Sequence, residues 1–494
     1  MSMPESSSAQ PLTELLRMLG IVADSNETVS DIVIDSRSIG QNTVWFALPG
    51  AQRHGASFAS LAPANPIAVV TDAAGEELLA GADFPVFSVP DPRALVGPTS
   101  AWLHGDPATA MTMVAVTGTN GKTSVTHFLG DAWHAHGDTA AVLGTLGLRM
   151  TNDRTSGQTG FTTPEADALQ RILARARDLA VTHMAMEVSS HALALHRADG
   201  IIFDVAVFTN LSQDHLDFHH DMEDYFQAKA RLFADGRCRR AVVCTDDHWG
   251  RRLAADIDAR GIPLITYGTG DSDWQIVSRS ERAVTVRAGD QLIELPIVSR
   301  GEFTALNLVA TAATLTLLGT PREALAETLA ACRPVPGRME VVSALTPQHP
   351  QVVVDYAHSP DSVARVLQAA RADQGRLIAV LGAGGGRDRG KRPLMGAAAS
   401  AADVVVVTDD NPRDEDPATI RAAVLDGVSA ASVHEIADRR QAIEFAVSMA
   451  RSGDVVVILG KGAERGQQYG NQVREFDDRE VASAALAAWG GPSC

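Results

Sequence analysis

The sequence reads as an α/β chain of several domains built on mostly parallel sheets, and three observations lead there. Short Val-, Ile- and Leu-rich runs recur, each ending in a polar or Gly-rich turn. Stretches with an apolar residue every third or fourth position separate them. Gly 41 and Pro 23 punctuate the joins, in a chain of 494 residues that is several times the common domain size of ~100–150 residues.

Along the chain, PLTELLRMLG has helical spacing, DIVIDSR is a strand running into a polar turn at Asp35, Ser36 and Arg37, and VWFALPG is a second strand. Short strands and helical patches then alternate to a break at Gly105, Asp106 and Pro107, which sets a boundary at residue 106. MTMVAVTG is an apolar strand entering GTNGKTS, and VTHFLGDAWHA behind it has helical spacing. VTHMAMEVSS, DVAVFTN, RAVVCTD and PLITYG are further buried strands, separated by helices such as PEADALQRILARARDL and MEDYFQAKARLF. WQIVSRSERAVTVRAGDQLIELPIVSRG alternates as antiparallel strands do, and FTALNLVATAATLTLLG is helical. Pro334, Pro336 and Gly337 break that pattern and set a second boundary at 333. VVVDYAH, RLIAVLGAGG, DVVVVTDD and DVVVILG repeat strand and turn with helices between, as in a smaller open α/β domain. The expected domains are 1–106, 107–333 and 334–494.

Lys plus Arg is 42 and Asp plus Glu is 60, a net charge of −18, while 45% hydrophobic residues supply real cores. Such a balance argues against a general nucleic-acid or anionic-membrane surface and leaves room for a local basic pocket. The start MSMPESSSAQ lacks the basic region and apolar run of a secretory signal, and no stretch approaches ~20 strongly apolar residues. A cytoplasmic location without membrane insertion is expected. Cys238, Cys244, Cys332 and Cys494 form neither a zinc signature nor a disulfide framework and read as incidental thiols.

The strongest local signal is Gly118-Thr119-Asn120-Gly121-Lys122-Thr123-Ser124 after an apolar strand. Backbone N–H groups and the following helix N-terminus suit phosphate oxygens, Lys122 suits the β/γ-phosphate charge, and Thr123 suits magnesium. Val116 stands where a standard Walker loop has glycine. Glu187, at the end of MAMEV, reads equally as a cap or as a metal carboxylate. Lys229 reads by itself as a solvated helix lysine. Asp214 and His215 superficially resemble an acid–base pair, but sequence adjacency does not set side chains face to face. His191, His219 and His220 read as structural or solvent-facing. In DNPR, Pro412 constrains a loop and the fork of Arg413 suits a carboxylate.

GTNGKTS, MEVSSHAL, FTNLSQDHLDFHHDMEDYFQAKARLF, PGRME and DYAHSPD, spread over most of the chain, resemble the Mur ligase family of ATP-dependent amino-acid ligases. The resemblance implies a UDP-substrate domain, a central P-loop-type ATPase domain and a C-terminal domain for the incoming amino acid. It implies Asn307, Arg338 and Asp355 as further ATP contacts beside residues 118–124, with Lys122 firmer than Thr119 or Asn120. Magnesium is implied at Thr123, Glu187, His215 and Lys229, the last as N6-carboxylysine, with Lys122 and Lys229 as catalytic residues. UDP-N-acetylmuramoyl-L-alanyl-D-glutamate is the implied substrate, with Ser36, Gln52, Thr162, Thr163, Ser189 and Arg197 as contacts. PGAQRHG around Gln52, and Leu195, depart from the pattern of related enzymes. The DNPR form resembles members that add meso-2,6-diaminopimelate, which implies Arg387, Asp410, Asn411, Pro412, Arg413, Gly460 and Glu464 as its contacts. Ala463 stands where relatives commonly have histidine. Lysine-adding or other Mur ligases, folylpolyglutamate-type ligases and an inactive nucleotide-binding scaffold are the alternatives, and a monomer is expected.

Overall fold

The protein, as a computed structural model, is described over residues 9–50, 52–150, 161–342 and 349–490. It divides into two compact units, each drawn from three stretches of chain. The first comprises 1–117, 136–206 and 228–240; the second comprises 118–135, 207–227 and 241–494.

In the first unit, Asp31–Val33, Thr43–Phe46, Ala68–Thr71 and Val86–Ser88 form a four-stranded parallel sheet in sequence order. Both faces are covered, which explains why the two central strands have no alternation to read. Val44, Phe46, Ala68 and Val70 pack with Leu12, Leu15 and Leu16 of the first helix and with Val96 and Leu103; Val33, Trp45 and Val69 pack on the opposite side with Ile39 and Leu79. The DIVIDSR strand ends early, and Ser36–Ser38 makes a 3₁₀ turn whose first N–H bonds are satisfied by Asp35, which accepts from the Arg37 N–H at 3.0 Å. Beyond a turn at Asp106, Thr112–Thr117 pairs in parallel with His183–Glu187, which pairs in parallel with Ala140–Gly144. Ala140–Gly144 then folds back antiparallel onto Gly147–Met150, a hairpin the sequence reading did not anticipate.

In the second unit, Ala241–Cys244, Leu264–Gly268 and Trp274–Arg279 are parallel neighbours. Ala283–Ala288 and Gln291–Pro296 add antiparallel, as their alternation predicts. The helical segment after them is Glu302–Leu317. The six-stranded sheet runs Glu340–Val341, Gln351–Asp355, Val455–Leu459, Leu377–Leu381, Val404–Val407, Ser432–Glu435, parallel apart from the short first strand. Its valine-rich strands are buried on both sides, by the helices Pro360–Ala370, Lys391–Ala399 and Pro417–Leu425 on one and by Arg439–Met449 and Asp478–Ala487 on the other. The last helix is tied down by a fully buried ion pair, Arg439 to Asp478 at 2.7 Å. No described helix is long and apolar enough to cross a membrane.

Cys238, Cys244 and Cys332 are buried free thiols, as expected of incidental cysteines, and Cys494 lies outside the described residues. Burial pushes the Cys238 thiol up to about 11 and the Cys244 thiol up to about 12.

Candidate nucleotide and ligase site

Strand Thr112–Thr117 leads into the loop 118–121, and helix Lys122–Ala135 begins at the lysine. A helix start offers N–H groups that its own turns leave unpaired, together with the positive end of its dipole. Gly121 has φ 91°, and a Cβ there would run into the Asn307 amide. Only glycine keeps that turn beside Asn307. The segment after strand Val205–Phe208 braces the loop: the Thr119 N–H donates to the Asn210 carbonyl at 2.9 Å, the Asn120 N–H to Asn210 Oδ1 at 3.0 Å, and Thr119 Oγ1 accepts from the Ser212 N–H at 3.0 Å. Lys122 Nζ folds back onto the Gly118 and Thr119 carbonyls, 2.9 Å from each. Arg338 donates to Thr123 Oγ1 at 2.9 Å and lies 4.2 Å over the Tyr356 ring. Asp355 accepts from the Met339 and Ala357 N–H groups, and its burial pushes the carboxyl up against the pull of Arg338. Ser124 is half-buried in the first helical turn. All the nucleotide residues expected from the sequence thus lie in the second unit.

His215 stands next to a buried carboxylate, that of Asp214. Asp214 is 3.1 Å from Lys391 Nζ and 3.6 Å from both His358 Nε2 and His215 Nε2. Burial alone would raise the Asp214 carboxyl, but the His358 hydrogen bond and the charges of His215 and Lys391 outweigh it and hold the group well below the usual carboxylate range. The adjacent Asp214 and His215 side chains do approach each other, at ion-pair distance. Lys391, visible in sequence only as part of GGRDRGKRP, was missed.

The residues expected to contact diaminopimelate form a second cluster in the same unit. Arg413 has φ 54°, its N–H donates to the Gln468 carbonyl at 3.0 Å, and Nη1 donates to the Gly385 carbonyl at 2.6 Å. Burial lowers its guanidinium pKa, and nearby Arg387 lowers it further. Two guanidinium groups that repel each other make a ready seat for a carboxylate. Arg387 is exposed, Asp410 is buried against Gly460, and the Pro412 carbonyl closes a turn with the Glu415 N–H at 3.1 Å. Asn411 Nδ2 donates to Glu464 Oε2 at 3.1 Å. Ala463 is half-buried, with its backbone N–H side packed against Gly337.

Glu187 and the residues expected to hold the UDP-linked substrate lie in the first unit. The Glu187 carboxylate is 1% exposed; Oε1 accepts from the Thr145 N–H at 2.9 Å and Oε2 from the Thr145 hydroxyl at 3.1 Å. Thr145 in turn meets the Thr162 hydroxyl at 3.2 Å. The Thr163 hydroxyl donates to the Glu187 carbonyl and accepts from the Ser189 N–H, while Ser189 caps the helix Ser190–Ala194. Arg197 donates to the Thr163 carbonyl at 3.2 Å, pairs with Glu165 and stacks 4.7 Å over Phe161. Thr162, Thr163, Ser189, Arg197 and Glu187 are thereby one connected group. Ser36 is buried in its turn at the four-stranded sheet, and Gln52 is exposed. Leu195 ends the short helix as its C-cap. Lys229, in the last turn of Met222–Ala230, is 1% exposed, which overturns its reading as a solvated lysine. His219 is buried, whereas His220 is exposed. Of the four residues expected to take magnesium, Glu187 and Lys229 belong to the first unit, and Thr123 and His215 to the second.

Family models match the chain twice: Mur ligase middle domain over residues 116–315, and Mur ligase, glutamate ligase domain over residues 337–462. A curated relative from Streptomyces coelicolor, named UDP-N-acetylmuramoyl-L-alanyl-D-glutamate--2,6-diaminopimelate ligase, is 42% identical over 97% of this chain and 97% of its own. A Corynebacterium glutamicum relative of the same name is 42% identical over 94% and 93%. A solved structure with that name superimposes with TM-score 0.67 at 31% identity, covering 97% of this chain and 99% of its own. A folylpolyglutamate synthase from Mycobacterium tuberculosis shares the fold, with TM-score 0.65 at 19% identity over 81% and 96%.

Proposed function

The chain belongs to the Mur ligase family, and we propose that it joins meso-2,6-diaminopimelate to the D-glutamate γ-carboxylate of UDP-N-acetylmuramoyl-L-alanyl-D-glutamate, using ATP, in peptidoglycan precursor synthesis. The observation that carries this reading is the gathering of Arg413, Asn411, Glu464 and Gly460 around the DNPR loop of this chain, whose relatives bear the diaminopimelate ligase name.

The γ-carboxylate attacks the γ-phosphorus of ATP, the bond to ADP breaks, and an acyl phosphate forms. The amine of diaminopimelate then attacks the acyl carbon, the C–O bond to phosphate breaks, and the amine loses its proton as the amide forms. Lys122 and the N–H groups at the start of its helix offset charge as it moves among the phosphate oxygens. Gly118, Thr119, Asn120, Gly121, Ser124, Asn307, Arg338 and Asp355 shape the nucleotide's seat. Arg387 and Arg413 take the distal carboxylate, Glu464 and Gly460 the amino end, and Asp410, Asn411 and Pro412 the loop between. Ser36, Gln52, Thr162, Thr163, Ser189 and Arg197 hold the UDP-linked substrate.

Each Glu187 oxygen takes one bond from Thr145 and keeps a second lone pair, which suits Mg2+; Thr123, His215 and a carbamate on Lys229 are further Mg2+ ligands in this reading, taken one by one from the family resemblance. When bound, Mg2+ neutralises phosphate charge. Burial of Lys229 removes the solvated reading, and the carbamate is taken from the family resemblance. The three jobs fall to 1–106, 107–333 and 334–494, in a cytoplasmic monomer.

Purified protein with ATP, Mg2+ and the UDP-dipeptide is expected to yield, by mass spectrometry, the UDP-linked tripeptide with diaminopimelate in strong preference to L-lysine. Equal rates with the two amino acids would overturn the assignment of specificity, and ATP binding without product would overturn the activity.

A further inference from the structure

Lys461 has no exposed surface and belongs to none of the residue groups assigned to the nucleotide, the metal or the substrates. It follows the strand Val455–Leu459 between two glycines of positive φ, Gly460 at 115° and Gly462 at 53°; a Cβ on Gly462 would press on the Gly337 carbonyl and Tyr356. The backbone is therefore held tightly on both sides of the lysine, and the side chain runs inward.

Its ammonium donates to Asn411 Oδ1 at 3.1 Å and lies 3.3 Å from Glu464 Oε2, the two residues being joined further by a turn in which the Glu464 N–H donates to the Lys461 carbonyl. An ammonium has three donors and no acceptor, so the Asn411 atom that faces it has to be the amide oxygen. The Gln468 N–H reaches the same oxygen at 3.0 Å. Two donors on that side settle which way the amide faces, and its NH2 is thereby aimed at Glu464 Oε2, 3.1 Å away. Oε2 consequently receives both Lys461 and Asn411, while Oε1 receives neither. A carboxylate held by one oxygen and, among the described residues, without a hydrogen bond at the other is suited to an incoming ammonium.

We propose that Lys461 is a positioning residue for amino-acid selection: it fixes the face that Asn411 presents and holds Glu464 by Oε2, keeping Oε1 for the amino group of the incoming amino acid. It touches no substrate itself. The inference rests on the assignment of the DNPR cluster under Proposed function and assigns a residue that the motifs leave out.

Wild-type protein is assayed first, because absence of diaminopimelate transfer there would refute the functional reading independently of Lys461. With wild-type activity in hand, Lys461→Met keeps the stem and removes the charge. KM for diaminopimelate is expected to rise about 10-fold or more, as for loss of a charged hydrogen bond, and the preference over L-lysine to fall. KM for ATP and for the UDP-dipeptide should stay within about twofold. Lys461→Gln, which restores a donor to Asn411 without the charge, should recover part of the diaminopimelate KM. An unchanged diaminopimelate KM, or three KM values that rise together, would overturn the proposal. So would failure of both variants to fold in thermal melts, which would assign Lys461 to the core alone.

Discussion

Arg439 and Asp478 are both without exposed surface, paired at 2.7 Å, with Arg439 Nη2 also on the Leu459 carbonyl at 2.9 Å. Removing one partner strands a charge in a valine-lined interior. Arg439→Met is expected to lose about 3–5 kcal/mol of stability, read as a lowered denaturation midpoint, with Arg439→Met/Asp478→Leu recovering most of it. Function at the same scale separates by step. Arg413→Ala should raise the KM for diaminopimelate about 10- to 100-fold, the cost of a charged hydrogen bond, whereas Lys122→Ala should lower kcat with any acceptor. Residues carried by a motif were legible in the sequence: Lys122 and Thr123 in the phosphate loop, Arg413 in DNPR. Lys391, Lys461 and Thr145 were not, because a single lysine or threonine has no signature until folding buries it against Asp214, Asn411 or Glu187. Burial also changed the sense of Lys229, whose charge alone pointed to solvent.

Elements repeat that division. The buried strands Gln351–Asp355, Leu377–Leu381 and Val455–Leu459 were readable as apolar runs, since parallel strands covered on both faces need no polar positions. The hairpin Ala140–Gly144 and Gly147–Met150 was not, because only two residues join its short strands and the neighbouring strand His183–Glu187, which completes the pairing, comes some forty residues later. The phosphate loop behaves as one element with what braces it. Gly121→Ala should leave the fold intact by circular dichroism while abolishing ATP turnover, since its Cβ has no room beside Asn307 and φ 91° disfavours any side chain. Ser359 begins the helix Pro360–Ala370 with a reciprocal cap to Ser362, so Ser359→Ala is expected to cost about 1 kcal/mol in a urea titration without altering amino-acid preference.

At the scale of the molecule, the sequence divided the chain into three consecutive stretches, whereas its contacts gather into two units each drawn from three. Consecutive boundaries can be seen in Gly and Pro; a chain that leaves a unit and returns to it cannot. Acid stability is likewise a property of the sum. Glu415, hydrogen-bonded to Arg392 and to the Gly386 N–H, is lowered to about 2, and the carboxyls of Asp199, Asp454 and Asp477 are lowered too, by His196, Arg376 and Arg479 acting against burial. Groups so lowered add stability that is complete above the ordinary carboxylate range and is lost as pH falls through it toward about 2, so unfolding midpoints should drop over that window and Glu415→Gln should flatten the decline. Asp355 is raised and works in the opposite direction. The buried thiols have a practical counterpart. With Cys238 and Cys244 both shielded and held in the protonated form, and Cys332 shielded with them, maleimide reagents meet little nucleophile among the described residues. A Cys494→Ser background would then let one introduced cysteine carry a fluorophore or spin label at a chosen surface, so that distances could be followed through a catalytic cycle with Cys238, Cys244 and Cys332 left in place.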